Sequence, residues 1–517
     1  MNIRKVYLGL IAILSVALFY EWTSDSRAES VVDHLEAAKV ENLKPQVSDD
    51  GLYVYLENDL LKLKIAIQTG SIVESRLKEY GVENVEGSMG VRVFGSSETG
   101  SFKYYLKTGF TGQASKYVLD NYGDSFVILK STDGDLTKEF SFLPNTYEVL
   151  VKDSSDNGVG GKPFASLYRT EGRSLDLKTA VIEGGMMNNS SYQGVAISSD
   201  QDPYLSSRLR GIDEPFSVLS RSGWVSFIQK YFFAVLIGSD DYVYNYFAQP
   251  ANSGTYRMGY TVEKGEATSL VYSHSHRVFI GPKIRKDLAQ RADNLELSID
   301  MGWFWFISQP MVWFLDLINE YVNSWALSII IFTLILKLAL FPVTAKGFAS
   351  MAGMRKVGPM MKDIQDRHKN DRQKASAEVM ALYKKEGVNP LGGCLPVLAQ
   401  MPFFIGFFFA LREMVELRHA SFYWISDLSI PDPLFILPVL FGLVMVSTQK
   451  LSPAPPTSDP TQAQVMKYMP VVFSIFFFIF PAGLCLYSVV NSGFSLGQQR
   501  YLYKKTGVLG DVGSGGS

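Results

Sequence analysis

Residues 328–344, SIIIFTLILKLALFPVT, are apolar except for short hydroxyl side chains and one cation, Lys337, in the interior of the run. A lysine at the centre of a membrane helix costs about 2.5–3.5 kcal/mol on insertion-derived scales. The run therefore makes sense as a membrane span only if something else in the chain solvates the ammonium. One answer is local, since a lysine stem can carry its charge several ångströms towards the headgroups. Other segments point to a second answer.

Thr333 lies four residues before Lys337, on the same helical face. In the run 483–502, Ser488, Asn491, Ser492, Ser495, Gln498 and Gln499 recur at intervals of three and four, drawing a polar stripe down an otherwise apolar helix. Facing lipid, such a stripe would leave amides unpaired, so it must face other helices or water. Helix–helix adhesion is the modest reading. Gln400, Ser447 and Thr448 add further polar groups in neighbouring runs. The economical expectation is a hydrated cavity with Lys337 inside it.

From about residue 301 to 503, apolar runs alternate with short charged loops. Spans are expected at 325–344, 393–411 and 434–449. QVMKYMPVVFSIFFFIF (464–480) and 483–502 form two more, reversing at Pro481-Ala482-Gly483. As one helix this last pair would be roughly 57 Å long, against a hydrocarbon core of about 30 Å, so a hairpin fits better. The chain opens MNIRKVYLGLIAILSVALFYEW, a basic end followed by an apolar core. It fits a signal peptide or an uncleaved anchor, and the bulky polar YEWTSDSRAES that follows favours the anchor.

Between the second and third spans, Lys346, Arg355, Lys356, Lys362, Arg367, Lys369, Arg372, Lys374, Lys384 and Lys385 outnumber Asp363, Asp366, Asp371, Glu378 and Glu386. That excess marks a cytoplasmic loop. Arg412 and Arg418 face Glu413, Glu416, Asp427 and Asp432 in the next loop, and Arg500, Lys504 and Lys505 close the last span. Six spans with both termini cytoplasmic satisfy these biases and place the long polar region outside. The cytoplasmic loop reads as two helices. Met351, Met354, Met361 and Ile364 recur at helical spacing on the first, with Gly358-Pro359 expected to kink it. Methionines there suit an adaptable surface that captures partners, or simply hold the two helices together.

Between the first two spans, LYVYLENDLLKLKIAI, FKYYLKTGF, SFVILKS, YEVLVKD, KYFFAVLIG and TSLVYSHSHRVFIG alternate apolar and polar residues between Gly, Asp, Asn and Ser turns. They predict an all-β antiparallel sandwich. MGWFWFISQPMVWFLDLINEYVNSW, with Trp303, Trp305, Trp313 and Trp325, predicts a helix lying at headgroup level, or alternatively a buried helix of the sandwich. The expected organisation is an anchor (1–24), a linker (25–50), the sandwich (51–300) and an interfacial helix (301–324). A five-helix core (325–505) with a cytoplasmic hairpin (345–389) and a short tail (506–517) complete it. The fold class is thus a six-span helical bundle carrying an all-β domain.

A net charge of −2 and the lack of aromatic-interleaved basic runs exclude a strongly basic nucleic-acid binder. The two cysteines, Cys394 and Cys485, lie in expected spans, leaving the β-region without a disulfide. His274 and His276 share a strand face, but no third ligand is evident. The sequence shows no duplicated halves of the kind many transporters carry, and no serine placed to pair with Lys337 in hydrolysis.

EVMALYKKEGVNPLGGCLPVLAQMPFF (378–404), VELRHASFYWISDLSIPDPLFILPVLFG (415–442), TQKLSPAPPTSDPTQAQVMKYMPVVF (448–473) and FPAGLCLYSVVNSGFSLGQQ (480–499) resemble the YidC/Oxa/Alb family of membrane-protein insertases, in its Gram-negative form with a large periplasmic domain. The resemblance implies a non-enzymatic insertase and foldase of the bacterial inner membrane. It would take nascent membrane proteins from the ribosome, alone or beside the Sec translocon, and release them into the phospholipid bilayer. No cofactor or nucleotide is implied, and the expected working unit is a monomer. Lys337 occupies the place of a basic residue, more often arginine, in a hydrophilic groove open to cytoplasm and lipid. The resemblance also carries substrate contacts onto Thr333, Met401, Phe404, Phe407, Trp424 and Tyr487. Ser488 stands where a second aromatic is common. With the stripe read above, the expected groove is Thr333, Lys337, Gln400, Met401, Phe404, Phe407, Trp424, Tyr487, Ser488, Asn491, Ser495 and Gln498. Met351, Met354 and Met361 would serve capture.

Overall fold

The computed structural model describes residues 46–507 except 83, 86, 98–101, 157–160, 171–193, 252–253, 266–272, 369–370, 390–391, 393–394, 453–467 and 469–471. The expected anchor, most of the linker, Cys394, the first half of the fifth span and residues 508–517 lie outside the described residues.

Strand formation follows side-chain alternation. In Leu61–Ala66, Leu61, Leu63 and Ile65 are buried, while Lys62, Lys64 and Ala66 turn outward. Such strands build two antiparallel sheets. One runs Gln46–Val47, Tyr53–Glu57, Leu61–Ala66, Ser71–Gly81, Lys103–Phe110, Pro163–Thr170, Thr255–Gly265, Tyr242–Pro250, Phe216–Ser220. The other runs Leu205–Arg208, Gly194–Ser198, Trp224–Ile228, Phe232–Ile237, Ser273–Pro282, Glu148–Ser155, Leu136–Phe142, Phe126–Ser131, Tyr117–Gly123. They share one core containing the fully buried Trp224, Tyr104, Tyr244, Tyr246 and Tyr260. Within the first sheet, neighbouring strands approach closely: a Cβ on Gly259 would lie 2.0 Å from the Ala165 carbonyl oxygen of the adjacent strand.

Phe232–Ile237 breaks the alternation, for all six residues are buried. One reason is that its second face is covered by the helical region. Val415 is fully buried in the sandwich's own core cluster, and the Arg418 guanidinium lies 5.4 Å over the Phe232 ring. Arg418 also donates to the Gly81 carbonyl at 3.0 Å, and Asn84 donates to the Ser426 carbonyl at 2.6 Å. The 413–430 connection is thereby docked on the sandwich.

The helices are α1 (Arg285–Arg291), α2 (Trp305–Val322), α3 (Trp325–Ala339), α4 (Phe341–Lys356), α5 (Gly358–Arg367), α6 (Arg372–Lys385), α7 (Leu395–Glu413), α8 (Ile436–Leu451) and α9 (Ala482–Lys505). On α2, Ser308, Met311, Val312, Leu315 and Ile318 are buried, whereas Trp305, Phe306 and Tyr321 are exposed. Asn323 in the left-handed region ends α2, and Ser324 caps α3.

The expected span 325–344 is not one helix: α3 stops at Ala339, and α4 leaves it at 66°. Pro342 explains the break, since proline lacks the donor for the next helical bond and crowds the preceding turn. Pro342 instead occupies the first turn of α4, where neither defect matters. Among the described residues no single helix is both long and apolar enough to cross a membrane. α3 and α4 meet that test only as a bent pair.

The reversal before α9 also differs from expectation. Residues 477–480 turn, Pro481 caps, and Ala482 and Gly483 are already helical. The Ala482 and Gly483 amides donate to the Ile430 and Leu428 carbonyls at 2.7 and 2.9 Å, satisfying donors that a helix start leaves unpaired. Glycine also permits the α4–α7 crossing, for a Cβ on Gly347 would fall 2.4 Å from the Pro396 ring.

Candidate functional site

Lys337 lies in the last turn of α3, just before the break. Its side chain is 2% exposed. It does not snorkel: Nζ donates to Gln400 Oε1 of α7 at 2.8 Å and to Ser495 Oγ of α9 at 2.6 Å. The Gln400 amide in turn donates to Asn491 Oδ1, and Ser495 Oγ donates to the Asn491 carbonyl at 3.0 Å. Three helices thus converge on one ammonium through amide and hydroxyl dipoles. Hydrogen bonds to a charged group contribute about 1.5–3 kcal/mol each, so two of them offset an insertion cost of the size given above. The negative end of α3 adds to this. In this structure side-chain oxygens and the helix terminus solvate the ammonium.

The cluster has a floor and an open side. One to two turns towards the start of α9, Phe332 and Phe407 stack with centroids 5.3 Å apart, and Tyr487 lies 4.5 Å from Phe407. Phe407, Tyr487 and Thr333 are fully buried, and Ser488 nearly so. The Thr333 and Ser488 hydroxyls donate to their own helices at Ile329 and Leu484. These four expected contacts are therefore interior. By contrast, Gln400, Phe404 and the α9 stretch 491–496 are half-buried, and Met401 is exposed.

Two expected groove residues turn out to hold the frame. Gln498 donates to Thr344 Oγ1 at 2.8 Å, bracing the start of α4 beyond the break. Trp424 donates to Asp432 Oδ1 at 3.0 Å, and Asp432 also accepts from the Leu434 and Leu437 amides at the start of α8. Sequence reasoning overlooked both Asp432 and the Pro342 break, although proline's chemistry signalled the latter.

In the hairpin expected at 345–389, Met354 and Met361 are buried and Met351 half-buried. Met361 Sδ accepts from the Tyr383 hydroxyl at 3.2 Å, linking α5 to α6. These contacts side with the reading in which the methionines hold helices together. The exposed methionines here are Met360 and Met380. The kink expected at Gly358-Pro359 separates α4 from α5.

A second polar cluster lies inside the sandwich. Lys138 is buried and donates to Asp153, to the Thr108 carbonyl at 3.0 Å and to Thr108 Oγ1 at 2.6 Å. His276 lies 3.3 Å from Asp153 and 3.0 Å from the Tyr260 hydroxyl. Lys138 and His276 hold the Asp153 carboxyl down at about 2 despite its burial. Burial drives His274, packed 4.7 Å from His276, down to about 3. Among the described residues no group of three potential ligands is placed to hold a metal. This cluster ties the two sheets together through Lys138, Asp153 and His276, while both ring nitrogens of His274 are left unpaired among the described residues.

Comparison with known proteins adds independent findings. Residues 317–508 match the family model described as 60Kd inner membrane protein, and residues 53–314 the one described as YidC periplasmic domain. The chain is 35% identical over 483 residues to the membrane protein insertase YidC of Azotobacter vinelandii, covering 87% of this chain and 84% of that one. Its identity to the protein of that name from a Marinomonas species is 34% over 559 residues, covering 98% and 99%. Among solved structures, an active YidC insertase with its first transmembrane domain resolved aligns over 96% of this chain and 99% of that one, with 19% identity and a TM-score of 0.39.

Proposed function

This chain belongs to the YidC family of membrane insertases, inner-membrane proteins with a periplasmic domain, and on that basis we propose that the Lys337 cluster receives nascent hydrophobic segments and passes them into lipid. The observation that carries the reading is a buried cation held by three helices, beside half-buried polar residues and the exposed Met401.

The hydrophilic outer segment of a substrate meets amide and hydroxyl groups in place of water, while its apolar helix slides along Met401 and half-buried Phe404. Lys337 biases passage towards acidic segments and against basic ones, in keeping with the positive-inside rule. The outward-facing Leu334, Leu338, Val439, Leu440, Leu443, Phe473, Ile475 and Phe476 support a lipid-facing belt. Six spans, with both termini cytoplasmic, complete the proposed topology. Docking of the 413–430 connection on the sandwich supports placing both on the periplasmic side. Nascent chains arriving from the ribosome, alone or beside the Sec translocon, are the proposed clients of a monomer.

The test is reconstitution of the full chain in liposomes without the Sec translocon, presenting a single-span substrate with an acidic outer tail. Insertion by the wild type and Lys337→Arg, with a drop of about tenfold in Lys337→Met, is the expected result; a tenfold change corresponds to about 1.4 kcal/mol. Undiminished insertion by Lys337→Met removes the charge from the mechanism. Failure of the wild type to insert removes the function.

A further inference from the structure

A cleft of about 520 Å³ lies where the sandwich meets the start of α2, within the size range of small-molecule sites. Its lining includes Tyr204, Ile299, Asp300, Met301, Trp305 and Gln309. We propose that this cleft binds the headgroup of a phospholipid bearing a primary ammonium, of the phosphatidylethanolamine type, from the outer leaflet.

Three observations converge. The first is position: Trp303 is 82% exposed and Trp305 and Phe306 each 56%, an aromatic cluster of the kind that settles at headgroup depth. The second is charge. Asp300 is the one ionisable carboxylate among the lining residues, and no lysine or arginine accompanies it there among the described residues. Its Oδ1 is fixed by the Gly302 amide at 3.0 Å. Asp300 acts on buried Lys283, but Glu413 is the stronger countercharge of that lysine and the Ser298 carbonyl its hydrogen-bond partner. Tyr204 and Trp305 add ring faces, which attract ammonium groups. The third is the helix start: Trp305, which opens the 18-residue α2, belongs to the same lining, and the positive end of that helix suits a phosphate. A carboxylate, ring faces and a helix start gathered in one cleft suit a zwitterion's ammonium and phosphate. A glycerol headgroup offers nothing to Asp300.

The inference rests on the proposed placement of α2 at the membrane surface, so the experiment has two arms. In the first, full-length protein is delipidated in detergent and given phosphatidylethanolamine or phosphatidylglycerol, and retained lipid is counted by native mass spectrometry. Wild type should prefer phosphatidylethanolamine by about five-fold, as one exposed ion pair with one cation–π contact allows. Asp300→Asn, which keeps an acceptor for the Gly302 amide, should lose that preference, and Trp305→Ala should weaken retention. Equal retention of the two lipids by wild type, or an unchanged preference in Asp300→Asn, overturns the lipid site. In the second arm, the Trp303 fluorescence difference between wild type and Trp303→Phe is measured in bilayers carrying brominated phosphatidylcholine. Quenching supports the placement of α2, and its absence overturns that placement.

Discussion

The solvation of Lys337 can be measured by a double-mutant cycle with Gln400. Lys337→Met removes a burial cost of about 2.5–3.5 kcal/mol. It also removes two charge-assisted hydrogen bonds, to Gln400 at 2.8 Å and Ser495 at 2.6 Å, together about 3–6 kcal/mol. Each side chain keeps one hydrogen bond, since Gln400 Nε2 still donates to Asn491 Oδ1 and Ser495 Oγ to the Asn491 carbonyl, and only Oε1 of the half-buried Gln400 loses its donor. The net change should therefore stay within about 2 kcal/mol of zero, as expected when an apolar residue replaces a buried charge. Gln400→Leu is harsher, because the ammonium remains and loses one of its two partners, for a loss of about 1.5–3 kcal/mol. In the double variant no cation is left to strand, so the second substitution should cost much less than it does alone. Equilibrium unfolding of the bundle in detergent, followed by tryptophan emission, gives the four free energies. Additivity within about 0.5 kcal/mol would refute the claim that Gln400 solvates Lys337.

Three further outcomes test the frame. Gly347→Val should destabilise the bundle by about 1–3 kcal/mol by overpacking, because its Cβ would meet the rigid Pro396 ring at 2.4 Å; an unchanged unfolding midpoint contradicts that close crossing. Asp153→Ala should cost the sandwich about 3–5 kcal/mol by leaving Lys138 and His276 buried without their carboxylate, whereas a loss below about 1 kcal/mol would show the network to be dispensable. His274, held down at about 3 from 6.5 with both ring nitrogens unpaired among the described residues, contributes stability that is full above pH 6.5 and falls away as pH drops towards 3. His274→Phe should therefore move the acid midpoint of the sandwich's near-ultraviolet circular dichroism to lower pH, and a midpoint that stays in place excludes His274 as a source of acid lability.

Alternation in segments such as LKLKIA marks strands because one face must be dry, and that pattern is local. What covers Phe232–Ile237 on its second face is not local, since Val415 and Arg418 arrive from nearly two hundred residues away. At the candidate site, the need to solvate Lys337 was legible from its apolar surroundings, and the polar stripe of α9 identified two of the groups involved, Asn491 and Ser495. Gln400, in another run, completed the cluster. The division of labour within the stripe was not legible. Gln498 braces α4 and Ser488 bonds its own helix, although both share spacing with Ser495. Helical periodicity fixes a face but not which neighbour lies opposite it. Aromatic side chains carry the same ambiguity: Phe407 and Tyr487 stack inside the bundle, while Met401, near Phe407 in sequence, is exposed.

The central claim is that substrate passes along the half-buried polar side of the Lys337 cluster. Site-specific photo-crosslinkers placed one at a time at Met401, Asn491 and Phe407, during translation of a single-span substrate, test it most directly. Labelling of the nascent chain from Met401 and Asn491, with little from buried Phe407, is the predicted pattern. Crosslinks confined to positions in the β-sandwich would contradict it.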